Sequence, residues 1–378
     1  MRYRCLMPYK IPAYDAANGS RWTRRDVLKA AGTLAAGAAA ALSGQALAGQ
    51  AFTEGAAASE APAGGPQSPP SGKPASPQAP SPQAPSSQAP ALQIGVLLGT
   101  FAAPTLEARL DAVKACGLVC VQLSMDCAGL PAMPDEIAPD VAARARREAA
   151  ARGITIVSVQ GTFNMSHPDA EQRRAGLRRL RVLAAACKEM GTSTIHLCTG
   201  TRDRRDMWRR HPDNGSPEAW RDLTACMREA AEIARTAGVV LAFEPEVNNV
   251  VDSAEKARKL LDEIGSEHLK VTMDAANLFH AGDLARMGEV LDSAFKLLGK
   301  DIVMAHAKDL DRDGDAGHLP AGHGRLDYDR YFSLLCACAY KGPLLLHGLS
   351  AAQVPGCAAF LRGKLARVTS APDKTGRG

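Results

Sequence analysis

Residues 239–277 read VVLAFEPEVNNVVDSAEKARKLLDEIGSEHLKVTMDAAN, and this stretch decides the fold. It opens on an apolar run, Val239–Phe243, that halts at Glu244-Pro245-Glu246. A helical run follows over Ala254–Ile264, introduced by Ser253 and closed by Gly265. A second apolar run, Lys270–Met273, then halts at Asp274. Two strands without strict alternation, joined by an amphipathic helix, are what a parallel pair buried on both faces requires. Each strand ends on a carboxylate.

The same unit recurs on both sides. Further strands are expected at Ile94–Leu98, Val119–Ser124, Thr155–Val159, Thr194–Cys198, Ile302–Ala305 and Leu344–Leu346. Helices are expected at Thr105–Ala115, Val141–Ala151, Gln172–Met190, Ala219–Ala237, Leu284–Leu298, Tyr328–Ala339 and Ala352–Ala366. Eight strand–helix pairs in roughly 275 residues match the size of a (β/α)₈ TIM barrel, an α/β fold. Periodicity alone leaves a doubly wound open sheet as the competing architecture.

Before the barrel the texture differs. Residues 1–48 carry Arg24-Arg25 ahead of a soft Ala/Gly/Leu stretch from Ala30 to Leu47 that ends in Ala46-Leu47-Ala48. A cationic start, a modest apolar core and a small-residue cleavage site read as a twin-arginine (Tat) signal peptide. The implied partner is the Tat export machinery, and the implied location is periplasmic or otherwise extracytoplasmic. The stretch is poor in Leu, Ile and Phe, which argues against a stable membrane anchor. Residues 49–92 are dominated by Pro, Ala, Ser, Gly and Gln, with SPQAP repeated at Ser76–Pro80 and Ser81–Pro85. Such a segment cannot bury a core and reads as a disordered linker. The barrel is expected over 93–370 and a disordered tail over 371–378.

Charge excludes one class of partner. Residues 1–48 hold seven Lys/Arg against two acids, and their net of +5 equals that of the whole chain. The mature protein is therefore near neutral, and its basic pI is no sign of nucleic-acid binding. Ten cysteines without a C-x-x-C, seven of them (Cys116, Cys120, Cys187, Cys226, Cys336, Cys338 and Cys357) in apolar helix or strand contexts, read as small core residues rather than disulfides.

In a barrel, chemistry sits at the C-terminal strand ends. Four successive ends offer Glu244, Asp274, His306 and His347. Carboxylates and imidazoles converging on one mouth are ligands for a borderline divalent cation. Taken one at a time, each has a plainer role as helix cap or hydrogen-bonded structural residue. The joint pattern is what carries weight. Glu246 is a second carboxylate, able to act as base or to cap the helix near Ser253. Softer candidates for substrate contact are His196, Gln160, Trp208, Asn277 and Lys308. Trp208 offers an aromatic face to a sugar, or simple packing. Lys308 offers a cation to a developing oxyanion, or a partner to Asp309.

At these residues the chain resembles the xylose isomerase-like TIM barrels, the sugar phosphate isomerase/epimerase group, over about residues 94–368. The resemblance rests on Glu244, on D-x-x-N at Asp274–Asn277, on H-x-K-D at His306–Asp309, and on Gly322-His323-Gly324 before Leu326-Asp327-Tyr328. Gly342-Pro343-Leu344-Leu345-Leu346 leading into the last ligand is also similar. It implies one divalent metal ion holding adjacent carbonyl and hydroxyl oxygens of a carbohydrate, with Glu244, Asp274 and His306 as ligands. It also implies proton transfer by an isomerase or epimerase. The family usually ends strand eight with a second Glu, where this chain has His347. Nitrogen in place of carboxylate tilts the metal from Mg toward Mn, Zn, Co or Fe. His347 can be a fourth ligand or an acid/base, so the two-glutamate mechanism does not transfer intact. A lyase or hydrolase acting on oxidised glycosides stands as the alternative. An abasic-site endonuclease is disfavoured by Asn277 in place of a histidine and by the neutral charge, and a non-catalytic sugar-binding barrel stands open. Oligomeric state is open as well.

Overall fold

A computed structural model describes residues 92–370. The export signal and almost all of the linker expected up to residue 92, and the tail expected over 371–378, lie outside the described residues. In the stretch that decides the fold, β5 spans Val240–Glu244, α5 Ala254–Ile264 and β6 Leu269–Asp274. Ser253 starts α5 by accepting a hydrogen bond from the Lys256 N–H. This satisfies one of the amide donors that a helix start leaves free. Ala254, Ala257, Leu260 and Leu261 bury one face. The chain then leaves through Gly265 at φ +64, a conformation that costs glycine little.

The remaining strands are β1 (Ile94–Leu97), β2 (Cys120–Leu123), β3 (Thr155–Gln160), β4 (Thr194–Cys198), β7 (Ile302–Asp309) and β8 (Leu344–Leu346). The remaining helices are α1 (Leu106–Ala115), α2 (Pro139–Ala150), α3 (Ala170–Met190), α4 (Pro217–Ala237), α6 (Met287–Leu298), α7 (Tyr328–Ala337) and α8 (Val354–Ser370). Neighbouring strands pair in parallel from β1 through β7, and β8 pairs with both β7 and β1. The sheet closes on itself. That closure excludes the open doubly wound sheet and makes the fold a (β/α)₈ barrel. No described helix is long and apolar enough to cross a membrane.

Two apolar layers hold it. The main core lies between sheet and helices. Inside the barrel, Cys120, Met304 and Leu345 form a small separate cluster with Leu97 and Val157 against it. Space there is tight: a Cβ on Gly95 would stand 2.3 Å from the Cys120 carbonyl oxygen and 2.5 Å from its sulfur. One layer nearer the C-terminal mouth, two residues beyond Met304 and Leu345, come His306 and His347. Side chains alternate along a strand, so an apolar plug at one level sets polar groups above it on the same inner face.

Three details differ from expectation. β7 runs on to Asp309, because Lys308 and Asp309 also pair antiparallel with Leu319–Pro320. α6 starts at Met287, since Asp283–Arg286 form a tighter 3₁₀ turn. All nine cysteines among the described residues are free thiols, yet Cys336 is exposed and Cys116 and Cys338 half-buried, so not all of them are core residues.

Candidate metal centre

Glu244 and Asp274 are the last residues of β5 and β6, His306 lies within β7, and His347 follows β8. Closure of the barrel brings them together: one ligand atom from each lies within 4.8 Å of all the others. His306 Nδ1 is 3.6 Å from Glu244 Oε1 and 4.0 Å from Asp274 Oδ2, and His347 Nδ1 is 3.8 Å from Asp274 Oδ2. Glu244, Asp274 and His306 are buried, while the His347 side chain is 31% exposed and forms the lip.

What these atoms lack is informative. Asp274 Oδ2, both ring nitrogens of His306 and His347 Nδ1 are buried with no hydrogen-bond partner. A buried polar atom without a partner costs about 1–3 kcal/mol; one nitrogen from each imidazole, with Asp274 Oδ2, which Lys308 meets only as an ion pair at 3.4 Å, face one point as donors shaped for something else. Two carboxylates and two imidazoles fit a divalent metal, which the cluster can hold.

The surroundings fix the ligands. Asn277 donates from its side-chain amide to Glu244 Oε1 at 2.7 Å, and its carbonyl oxygen accepts from the Gly317 N–H at 2.9 Å. Expected to face substrate, Asn277 instead has both ends of its amide engaged by protein and positions Glu244. Asp274 Oδ1 accepts from the Ala276 N–H at 3.1 Å, leaving Oδ2 for the cluster. The Tyr331 hydroxyl reaches the backbone carbonyls of Met273 and His306 at 3.0 and 3.1 Å, clamping β6 to β7 beneath the site.

Lys308 turns inward, not toward Asp309: its Nζ is 3.4 Å from Asp274 Oδ2. Asp309 accepts instead from the backbone N–H groups of Leu310, Gly322 and Leu326 and orders the loop after β7. The Gly322-His323-Gly324 motif thus belongs to that loop. A Cβ on Gly324 would stand 2.4 Å from the Asp309 carboxylate.

Electrostatics follow from burial. Desolvation pushes Glu244 up to about 7, against the pull of Lys308, and Glu246 up to about 8. Burial works the same way on Asp274, but Lys308 and the two imidazoles outweigh it and hold the carboxyl below its ordinary range. Burial presses His306 down to about 4 and lowers His347, so both rings are neutral, the form that binds metal. Lys308 is raised: burial opposes its charge, and the carboxylates of Asp274, Glu244 and Glu246 prevail.

The other expected residues divide. His196 is buried on β4, with Nε2 3.4 Å from Glu244 Oε2. Its Nδ1 is 3.0 Å from the Thr272 hydroxyl, which donates to the Ala242 carbonyl. With its own proton already donated, that hydroxyl accepts from Nδ1–H, and Nε2 is left with its lone pair toward Glu244. Glu246 stands outside β5; its Oε1 accepts from the Asn249 side chain at 3.1 Å. Ser253 caps α5 itself, so the capping role considered for Glu246 is not filled. Gln160 is half-buried and donates to the Thr162 hydroxyl at 3.1 Å. Trp208, in the loop after β4, is half-buried and absent from the apolar residues packed on the core, whereas Trp220 is among them. Sequence reasoning missed Gln122, whose buried Nε2 has no partner while its Oε1 accepts from the Ser158 hydroxyl at 3.2 Å. The signal was a lone polar residue inside the apolar strand β2.

Comparison with known proteins agrees with the barrel fold. The profile of the family described as xylose isomerase-like TIM barrel matches residues 110–355. The chain belongs to that family. No curated protein matches its sequence. Among solved structures, 3-keto-D-glucoside 4-epimerase from E. coli superposes with a TM-score of 0.54 at 19% identity, covering 72% of this chain and 99% of that one. D-psicose 3-epimerase from Clostridium cellulolyticum H10 gives 0.55 at 15%, covering 72% and 99%. A xylose isomerase-like TIM barrel protein from Mycobacterium smegmatis, in complex with magnesium, gives 0.55 at 16%, covering 74% and 98%. At these identities the likeness is one of fold.

Proposed function

We propose that this member of the family is a metal-dependent isomerase or epimerase of a sugar or keto-sugar, with Glu244, Asp274, His306 and His347 as ligands. The observation that carries the reading is that buried atoms of Asp274, His306 and His347 make no hydrogen bond and converge with the Glu244 carboxylate at one point. Two imidazoles among four donors favour Mn, Zn, Co or Fe over Mg. When bound, such an ion polarises a substrate carbonyl and acidifies the neighbouring C–H.

The protein's own groups do the rest. Glu244 is the proton acceptor: it is a buried carboxylate at the end of β5, and only one of its oxygens is held by Asn277. Asn277 holds one of its oxygens, so the other, beside His196, is the one that faces the chemistry. Lys308 sets a buried ammonium where negative charge grows on substrate oxygen. His347 gives Nδ1 to the cluster and turns the rest of its half-exposed ring toward the entrance, where it meets substrate. Trp208 supplies an apolar wall for the sugar's C–H face.

Elimination from an oxidised glycoside starts with the same proton abstraction and is the second reading. His347 in place of a second carboxylate favours it, because removal and return of a proton on opposite faces calls for two bases. The test is to load the protein with Mn²⁺ and incubate it with keto-sugars in D₂O. Deuterium incorporation that Glu244→Gln abolishes supports the proposal, with released aglycone selecting the lyase reading. Absence of exchange, with ligand binding unchanged in Glu244→Ala, refutes both and leaves a sugar-binding barrel. The export reading rests on Arg24-Arg25 and the apolar stretch after it. A reporter fused to residues 1–48 tests it: export is expected with Arg24-Arg25 intact, and retention in the double variant Arg24→Lys/Arg25→Lys.

A further inference from the structure

We infer that the cleft between the loops after β3 and β4 receives an anionic group of the substrate, a carboxylate or phosphate, so that the preferred substrate is an acidic sugar. This rests on the sugar reading above and narrows its substrate class. The cleft has a volume of about 600 Å³, and four arginines against two aspartates line it: Arg202, Arg204, Arg205 and Arg209 with Asp203 and Asp213.

The partners of these charges show which are available. Arg202 is taken up by Asp222 at 2.7 Å and the Ser166 carbonyl at 3.1 Å. Arg209 stands 3.5 Å from Asp203, and His211 3.7 Å from Asp213. The guanidinium groups of Arg204 and Arg205 have no acceptor among the described residues. Exposed arginines elsewhere on the barrel commonly pair, as Arg174 and Arg178 do with Glu171 and Arg235 with Glu232. Two adjacent unpaired guanidinium forks in one cleft present several N–H donors in the geometry that carboxylate and phosphate oxygens accept.

The arginines are also held in place. Asp203 Oδ1 accepts from the backbone N–H groups of Arg205 and Asp206 at 2.8 and 3.0 Å, which fixes the turn that carries Arg204 and Arg205. Farther along the loop, Arg210 donates to the Val247 carbonyl at 2.7 Å, Val247 N–H donates to the Asn277 carbonyl at 3.0 Å, and Asn277 holds Glu244. The loop is therefore wired to a metal ligand through three hydrogen bonds. Its strand, β4, carries His196 beside Glu244, so cleft and cluster open on the same end of the barrel.

The test compares binding of glucuronate, glucose 6-phosphate and glucose to the Mn²⁺-loaded full chain by calorimetry. At least one anionic sugar is expected to bind tenfold or more tightly than glucose, with the preference shrinking as salt rises. The double variant Arg204→Ala/Arg205→Ala should bind that sugar no better than glucose. Arg147→Ala, an exposed position on α2, should keep the preference. Which anion wins separates carboxylate from phosphate recognition. Equal binding of all three sugars, or a preference that survives in the double variant, overturns the inference. Because binding is read without turnover, loss of deuterium exchange with an intact preference sinks the catalytic reading alone.

Discussion

Replacing His306 with leucine should stabilise the metal-free protein while abolishing its response to metal. The ring is fully buried, and neither nitrogen has a hydrogen-bond partner. At about 1–3 kcal/mol per unpaired buried polar group, this one side chain costs the metal-free fold roughly 2–6 kcal/mol. Leucine has similar bulk and no polar atom. Some packing is lost through the change of shape, so the net gain is expected to be about 1 kcal/mol or more, or roughly 2–4 °C in Tm. Wild-type protein at a metal concentration a hundredfold above Kd should gain about 2.7 kcal/mol, roughly 5–10 °C, and His306→Leu none of it. Thermal unfolding of both proteins, in chelator and then with added Mn²⁺ or Zn²⁺, measures all four values. If metal-free His306→Leu melts several degrees below wild type, the partnerless ring is not the burden described here. An unchanged wild-type Tm on metal addition would falsify the ligand assignment itself.

Further expectations concern the supporting residues. Asn277→Ala should weaken metal affinity about 10–100-fold with the ligands all present, since it frees the Glu244 oxygen that Asn277 holds; competition with a fluorescent chelator reads this. Asp301 accepts from Arg258 at 2.7 Å and Lys270 at 2.8 Å, and these cations overcome burial to hold its carboxyl below the ordinary range. A depressed folded pKa gives stability that is present above the unfolded value of about 3.8 and is lost as pH falls through the folded one. Asp301→Asn should therefore cost about 2–4 kcal/mol at pH 7, with the gap to wild type narrowing below about pH 4, as urea midpoints across pH will report. Gly95→Ala should destabilise the barrel by about 1–3 kcal/mol or more, because its Cβ meets the backbone of Cys120, which the parallel ladder prevents from moving away. A Tm equal to wild type would refute that account.

Much of this was legible along the chain. Val239–Phe243, Ala254–Ile264 and Lys270–Met273 have the apolar pattern and cap residues of a strand–helix–strand unit, and the structure differs at their ends by a residue or so. Glu244, Asp274, His306 and His347 stand out because each is a polar residue in, or at the end of, an apolar strand run. Residues whose importance depends on distant partners were harder to read. The pairing of Lys308 with Asp274 rather than with its neighbour Asp309 depends on which way each side chain points from β7. Asn277 as the holder of Glu244, and the unpaired state of Arg204 and Arg205, likewise depend on contacts between loops from different strands.

By itself the amino-acid order determined the alternation of strands and helices and the four donors at strand ends, because those follow from local pattern and propensity. Only the tertiary structure decided that the sheet closes and that the donors meet within 4.8 Å. It also decided which buried atoms go without partners, since convergence and desolvation are properties of the whole barrel: β5 and β8 lie about a hundred residues apart in sequence and face one another only when the sheet is shut.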